Sequence, residues 1–137
     1  MIVIDGTNKP LGRLAAFAAK KALEGETVII LNAEKIIISG NRDNVFARWK
    51  RKVDLSSLGN PQVHAPKYPR TVVGIVKRAV RGMLPYRTKR GKDAYSRVRV
   101  YRGIPDEFKD APMAEVNFKV PRKYVTVGEL AAWLGGK

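Results

Sequence analysis

Residues 2–31 read IVIDGTNKPLGRLAAFAAKKALEGETVIIL, and the changes of rhythm within this stretch decide the fold. Ile2-Val3-Ile4 is a short β-branched run halted by Asp5-Gly6. Pro10 then opens a segment in which Leu11, Leu14, Ala15, Ala18, Ala19, Ala22 and Leu23 recur at helical spacing, the mark of an amphipathic helix whose first turn tolerates proline. Gly25 stands where a left-handed terminator belongs. Thr27-Val28-Ile29-Ile30-Leu31 is a nearly continuous apolar run, as in a strand buried on both faces. Strand, helix and doubly buried strand form a βαβ unit, which predicts a parallel pair.

Beyond this unit, Ile36-Ile37-Ile38 resumes the apolar run and Ser39-Gly40-Asn41 ends it with turn chemistry. From Arg42 to Lys52 the residues Val45, Phe46 and Trp49 share one helical face, and Arg48, Lys50, Arg51 and Lys52 make the end of that helix basic. Prolines at 61, 66 and 69 predict a long loop over 53–69. A second long helix is expected from Thr71 to Leu84, with Val72, Val73, Val76, Ala79, Val80 and Met83 on its core side and Pro85 as its stop. Lys77, Arg78 and Arg81 then fall within an arc of roughly 100° on the other side. Gly82, in the last turn, costs helix stability and suggests a close backbone approach. The polar segment 86–97 reads as a basic loop, after which Val98, Val100 and Tyr101 alternate with Arg97, Arg99 and Arg102 as in a strand. Thr126-Val127-Gly128-Glu129 offers a capping box for a closing helix that packs by Trp133.

The 137 residues carry a formal net charge of +15, and its distribution is uneven. Lys67 to Arg102 contains twelve Lys/Arg and one acid, Asp93, so eleven of the fifteen net charges fall in about a quarter of the chain. A surface charged only for solubility intersperses both signs. This clustering is the footprint of a polyanion-binding face. Tyr68, Tyr86, Tyr95 and Tyr101 lie in the same stretch, and rings among cations can stack on bases as well as fill a core. With 45% hydrophobic residues and clear periodicity, the chain is expected to fold as a single domain over 1–137. It has no cysteine, which removes disulfides, thiolate metal sites and thiol nucleophiles and fits a reducing interior. Its first residues lack the basic and apolar regions of a secretory signal, and no apolar run approaches a membrane span, so a cytoplasmic protein is expected.

Catalytic motifs do not assemble. Gly6 to Arg13 joins a strand to a helix, yet five residues separate Gly6 from Gly12 and Arg13 precedes Leu14, which is not the spacing of a phosphate-binding loop. Arg13 is better read as an exposed cation. His64 is the only histidine and has no nucleophile elbow beside it. Asp5 and Glu34 could meet at the carboxyl edge of a parallel sheet and hold Mg²⁺ as in a nuclease, but each also suits a hydrogen-bonding role at a strand end. No metal or cofactor site and no small-molecule substrate is expected.

The remaining motifs carry a resemblance. Ile4-Asp5-Gly6 with Gly12-Arg13-Leu14-Ala15, Asn32-Ala33-Glu34-Lys35 with Ser39-Gly40, Val80-Arg81-Gly82-Met83-Leu84-Pro85 and Tyr101-Arg102-Gly103 occur in one order from residue 4 to about residue 105. In this the chain resembles the L-thirteen family of large-subunit ribosomal proteins. Ile104-Pro105 and the absence of inserts look like its archaeal branch. Ala16 departs from the serine of many members, and 42–57 lacks the bacterial Tyr-Arg-His signature. The resemblance implies a three-layer α/β/α sandwich on a small, mainly parallel sheet, here with a basic loop extension. It also implies a non-catalytic role in the cytoplasmic large subunit, binding its rRNA beside neighbouring ribosomal proteins and supporting early assembly. The expected rRNA contacts are Arg13; Arg48, Lys50, Arg51 and Lys52; Lys67 and Arg70; Lys77, Arg78, Arg81 and Gly82; Arg87, Lys89, Arg90 and Lys92; and Arg97 and Arg99. Phosphate and 2′-hydroxyl contacts should dominate, with tyrosines stacking only on unpaired bases.

Overall fold

A computed structural model describes residues 1–54 and 69–135. The elements run β1 (Ile2–Asp5), α1 (Leu11–Leu23), β2 (Val28–Leu31), a 3₁₀ turn (Ala33–Lys35), β3 (Ile37–Ser39) and α2 (Arg42–Val53). They continue with α3 (Val72–Gly82), α4 (Lys89–Ser96), β4 (Val98–Val100), a second 3₁₀ turn (Asp106–Phe108), β5 (Tyr124–Thr126) and α5 (Val127–Trp133). The predicted loop over 53–69, with His64, Lys67 and Tyr68, lies almost wholly outside the described residues.

The opening stretch folds as its rhythm predicts. Strands β1 and β2 pair in parallel, Ile2 opposite Val28 through Asp5 opposite Leu31, and β4 pairs in parallel with the other edge of β2. All four β2 side chains are buried. Helix α1 turns Leu11, Leu14, Ala15, Ala18, Ala19 and Ala22 inward, and this mostly alanine stripe lets α3 and α4 pack closely against it. Its end is closed by Gly25 at φ 99°, where the N–H groups of Gly25 and Glu26 donate to the Ala22 and Lys21 carbonyls, the Schellman arrangement.

Alternation then assigns the two sheet faces. Ile4, Val28, Ile30, Val98 and Val100 enter the main core with the helices. Val3, Ile29 and Leu31 meet Phe108 from the second 3₁₀ turn, with Tyr101, Ala111 and Met113 around them. The layered α/β architecture therefore holds, and the second covering layer is a 3₁₀ turn with extended chain. Strands β3 and β5 form a separate antiparallel pair, tied to the first unit by the Ile37 N–H donating to the Lys9 carbonyl at 3.1 Å. Thr126 caps α5 by accepting from the Glu129 N–H at 3.2 Å, as the capping box predicts.

Two expectations change. On α3 the buried residues are Val72, Ile75, Val76 and Val80, while Met83 is 45% exposed. Met83 is the C-cap, where the helical register stops, and Ile75 takes the inward position. Segment 86–97 is not a loop: Lys89–Ser96 is helical, capped by Thr88, and buries only Gly91 and Ala94. A helix held by two such small residues leaves almost no hydrophobic periodicity in the sequence.

The carboxyl end of the sheet, where open α/β sheets usually bind ligands, is closed by internal hydrogen bonds. Asp5 Oδ1 accepts from the Thr7 N–H (3.0 Å), the Thr7 hydroxyl (2.7 Å) and Asn32 Nδ2 (3.0 Å). Glu34 Oε2 accepts from the Gly103 N–H at 2.9 Å. Asn32 is buried in the left-handed region at φ 54°, a conformation asparagine tolerates. Burial pushes the Asp5 carboxyl pKa up, but the bonds from Asn32 and Thr7, with Lys9 nearby, outweigh it and hold the group below its ordinary value. A depressed carboxyl stabilises the fold above the unfolded-state pKa, and that stabilisation fades as pH falls through the folded one. Replacing Asp5 by alanine also orphans the buried Asn32 donor. Asp5→Ala should therefore cost about 1–3 kcal/mol near pH 7 by urea denaturation. The gap to the parent should narrow below roughly pH 4; a gap independent of pH would exclude a stabilising role for the charge.

Candidate nucleic-acid interface

Helix α3 begins at Thr71, whose hydroxyl accepts from the Gly74 N–H at 3.2 Å. With four apolar residues committed to the core, Lys77, Arg78 and Arg81 are left on the outer side, half-buried along their stems. The helix ends with the Met83 and Leu84 N–H groups donating to the Val80 and Arg81 carbonyls. Leu84 is buried and anchors the turn that follows. Thr88 then fastens that turn to α4, its hydroxyl donating to the Pro85 carbonyl at 2.7 Å and accepting from the Gly91 N–H at 3.2 Å. A side chain at Gly91 would overlap the Pro85 carbonyl, so only glycine permits this approach.

The aromatic residues of the turn organise the cations. Tyr86 and Tyr95 meet edge to face, with centroids 5.5 Å apart. The Arg81 guanidinium lies 4.2 Å from the centroid of Tyr86, and Lys77 Nζ lies 5.2 Å from that of Tyr95. Burial raises the Tyr95 hydroxyl pKa, against the pull of the Arg81 charge. These rings, offered by the sequence as base-stacking surfaces, are platforms for the protein's own cations. Tyr101 is likewise occupied, 5.6 Å from Phe108.

Beyond the turn, Arg87, Lys89, Arg90 and Lys92 are exposed and form no ion pair among the described residues. Two hollows meet at Gly82. One, of about 390 Å³, is lined by Trp49, Lys52, Arg78, Ala79, Gly82 and Met83. The other, of about 410 Å³, is lined by Arg81, Gly82, Leu84, Pro85, Tyr86, Arg87 and Thr88. The fold thus brings Lys52 of the α2 patch to the α3 cations. Among the described residues, apart from its own helix and chain neighbours, nothing lies within 4 Å of where a Gly82 side chain would begin. No packing within the described chain requires glycine there.

Other expected contacts lie elsewhere. Arg97 Nη1 donates to the Ala22 carbonyl at 2.9 Å and Arg70 Nη1 to the Leu134 carbonyl at 3.0 Å, so each caps the end of a helix. Arg99 pairs with Ile29 and shares its sheet face, opposite the helical layer. Arg48 and Arg51 are exposed on α2, while Lys50 lines a hollow with Arg70 and Trp133. Trp133 packs as expected, stacked on Phe46 at 4.7 Å, yet remains 46% exposed. Arg13 is exposed on α1, beside Lys119 and Pro121. Asp5 and Glu34 are both engaged in loop-closing bonds, and the described residues contain no group of three or more His, Cys, Asp or Glu able to hold a metal.

A profile for the family described as Ribosomal protein L13 matches residues 1–107. The chain belongs to that family. Proteins named large ribosomal subunit protein uL13 align along nearly its whole length. That of Methanosphaera stadtmanae is 44% identical, covering 98% of this chain and 97% of its own. That of Methanococcus maripaludis is 40% identical, covering 100% and 99%. That of Archaeoglobus fulgidus is 41% identical, covering 97% and 86%. These relatives are archaeal, as the sequence motifs anticipate. The motif blocks have structural work in common: Asp5 of the first block is bonded to Asn32 of the second, and Glu34 to Gly103 of the last. Val80 to Pro85 forms the end of α3 and the turn.

The sequence does not single out the Gly91 contact, although Thr88 three residues earlier carries the signal of a helix start. Gly91→Ala should lower stability by about 1–3 kcal/mol or more, measured by thermal melting. An unchanged melting temperature would mean that the turn and α4 are not locked together through this contact.

Proposed function

We propose that this chain is a non-catalytic constituent of the cytoplasmic large ribosomal subunit that binds folded rRNA and supports early subunit assembly. The observation carrying this reading is the α3–turn–α4 face. It sets Lys77 and Arg81 on tyrosine rings and presents Arg87, Lys89, Arg90 and Lys92 to solvent. Family membership supports it, since the relatives are named as large-subunit proteins. Cations held on a rigid frame neutralise phosphates that would otherwise repel as RNA helices are drawn together, and each contact releases condensed counterions. Arg78 and Lys52 extend the face across the Gly82 hollow, and the exposed Arg48 and Arg51 of α2, with Lys50 in a separate hollow, would make a second patch. Neighbouring ribosomal proteins would meet the edges that the RNA leaves free.

Replacing Arg87, Lys89, Arg90 and Lys92 together by alanine should weaken binding to large-subunit rRNA on the order of 10²-fold. It should also flatten the log–log salt dependence by about 3, while circular dichroism and melting temperature barely change. A wild-type salt slope would remove this helix from the interface. Gly82→Leu supplies a separate check, because among the described residues nothing meets a Cβ added there. Its expected outcome is unchanged stability with RNA affinity reduced several-fold; full affinity would show that no partner backbone approaches Gly82.

A further inference from the structure

Pairing of β3 with β5 sets Ser39 opposite Tyr124, and the Gly40 N–H donates to the Lys123 carbonyl at 2.9 Å. Two segments far apart along the chain thereby enclose a hollow of about 350 Å³, lined by Gly40, Asn41, Arg42, Arg122, Lys123 and Tyr124. Its lining contains three cations and no acid. The acids on the flanking elements are Asp43, whose N–H donates to Asn41 Oδ1, and Glu129 on α5; neither lines it. The Arg42 guanidinium is steadied 5.0 Å from the centroid of Phe46. Arg122 and Lys123 are exposed and make no ion pair among the described residues.

Tyr124 gives the hollow its character. Among the described tyrosines, Tyr86, Tyr95 and Tyr101 each have another ring against them, whereas Tyr124 is 46% exposed. A half-exposed aromatic ring beside three cations, in an open hollow, matches a planar base on a phosphate chain. An apolar ligand would leave the three cations without partners, and a zwitterion would set its own positive charge among them. The hollow opens at the start of α2, and Lys52 at the other end lines the Gly82 hollow. At 1.5 Å per residue the two are about 15 Å apart along the helix, a span of a few nucleotides. Arg122 to Tyr124 also lie beyond the residues matched by the family profile.

We propose that this hollow is a second RNA site, taking an unpaired nucleotide with its base on Tyr124 and its phosphates on Arg42, Arg122 and Lys123. The proposal rests on the rRNA-binding reading above, and its test keeps the two apart. The intact chain is titrated against a large-subunit rRNA transcript over a range of salt, as wild type, Tyr124→Ala, Tyr124→Phe, the Arg42→Ala/Arg122→Ala/Lys123→Ala triple variant and the α4 quadruple variant. Thermal melts verify folding. Tyr124→Ala should bind about tenfold more weakly with an unchanged salt slope, Tyr124→Phe should bind like wild type, and the triple variant should flatten the slope by about 2. With 4-thiouridine in the transcript, the peptide containing Tyr124 should crosslink. Wild-type affinity and slope in Tyr124→Ala and the triple variant, with the quadruple variant still impaired, would overturn the second site and leave the first reading standing. Absence of salt-dependent binding by the wild type would overturn both.

Discussion

Strand β2 exposes none of its four side chains, so both faces of the sheet must be covered by a chain with few elements to spare. The helical side is covered by α1, α3 and α4, and the alanine stripe of α1 lets them approach closely. Once the apolar faces are spent on this core, the cations of α3 and α4 are left on the outer sides of their helices. Such crowding of like charge opposes folding. Two features offset it: the long stems of Lys77, Arg78 and Arg81 are half-buried, and Lys77 and Arg81 lie on tyrosine rings. A bound polyanion would remove the remaining repulsion, so the same arrangement that strains the free protein favours the complex.

The cations form two mechanical classes. Arg81 and Lys77 are pre-positioned by aromatic contact and lose little freedom when they meet phosphate. Arg87 in the turn and Lys89, Arg90 and Lys92 on α4 are exposed on a backbone fixed by Thr88 and Gly91, although their side chains remain free. On the proposed reading, the first class would suit shape-specific contacts with a folded RNA, and the second would supply salt-sensitive attraction at lower geometric demand.

What is legible in the sequence follows the strength of the hydrophobic signal. The βαβ unit, its Gly25 terminator, the α2 face of Val45, Phe46 and Trp49, and the Thr126 cap are all written in periodicity or capping chemistry. Helix α4 is hidden because Gly91 and Ala94 bury against the body of the protein without registering as hydrophobic. Met83 misleads because the apolar periodicity continues past the point where the helix ends. The basic face is visible as a charge cluster, but its internal division is not. Arg97 and Arg70 are occupied by helix-end carbonyls, Arg99 faces the opposite side of the sheet, and Tyr86 and Tyr95 support cations. The arginine assignments depend on contacts between residues far apart in the chain, and the tyrosine ones on how the turn folds α3 and α4 together. The Arg42–Tyr124 hollow is the extreme case, since half of it arrives through β5.

Charge on the remaining surface gives the molecule a polarity. The segment covering the Val3, Ile29 and Leu31 face carries Asp106, Glu107 and Asp110, all exposed. Lys109 is exposed among them, so residues 106–110 carry a net charge of −2 (three acids, one base) and this segment is far less positive than the helical layer. Arg99, the cation that shares the Ile29 face, stands on the side turned from the helical layer. The sheet therefore does more than support the helices: its alternation of side chains decides which strand residues join each of two unlike faces.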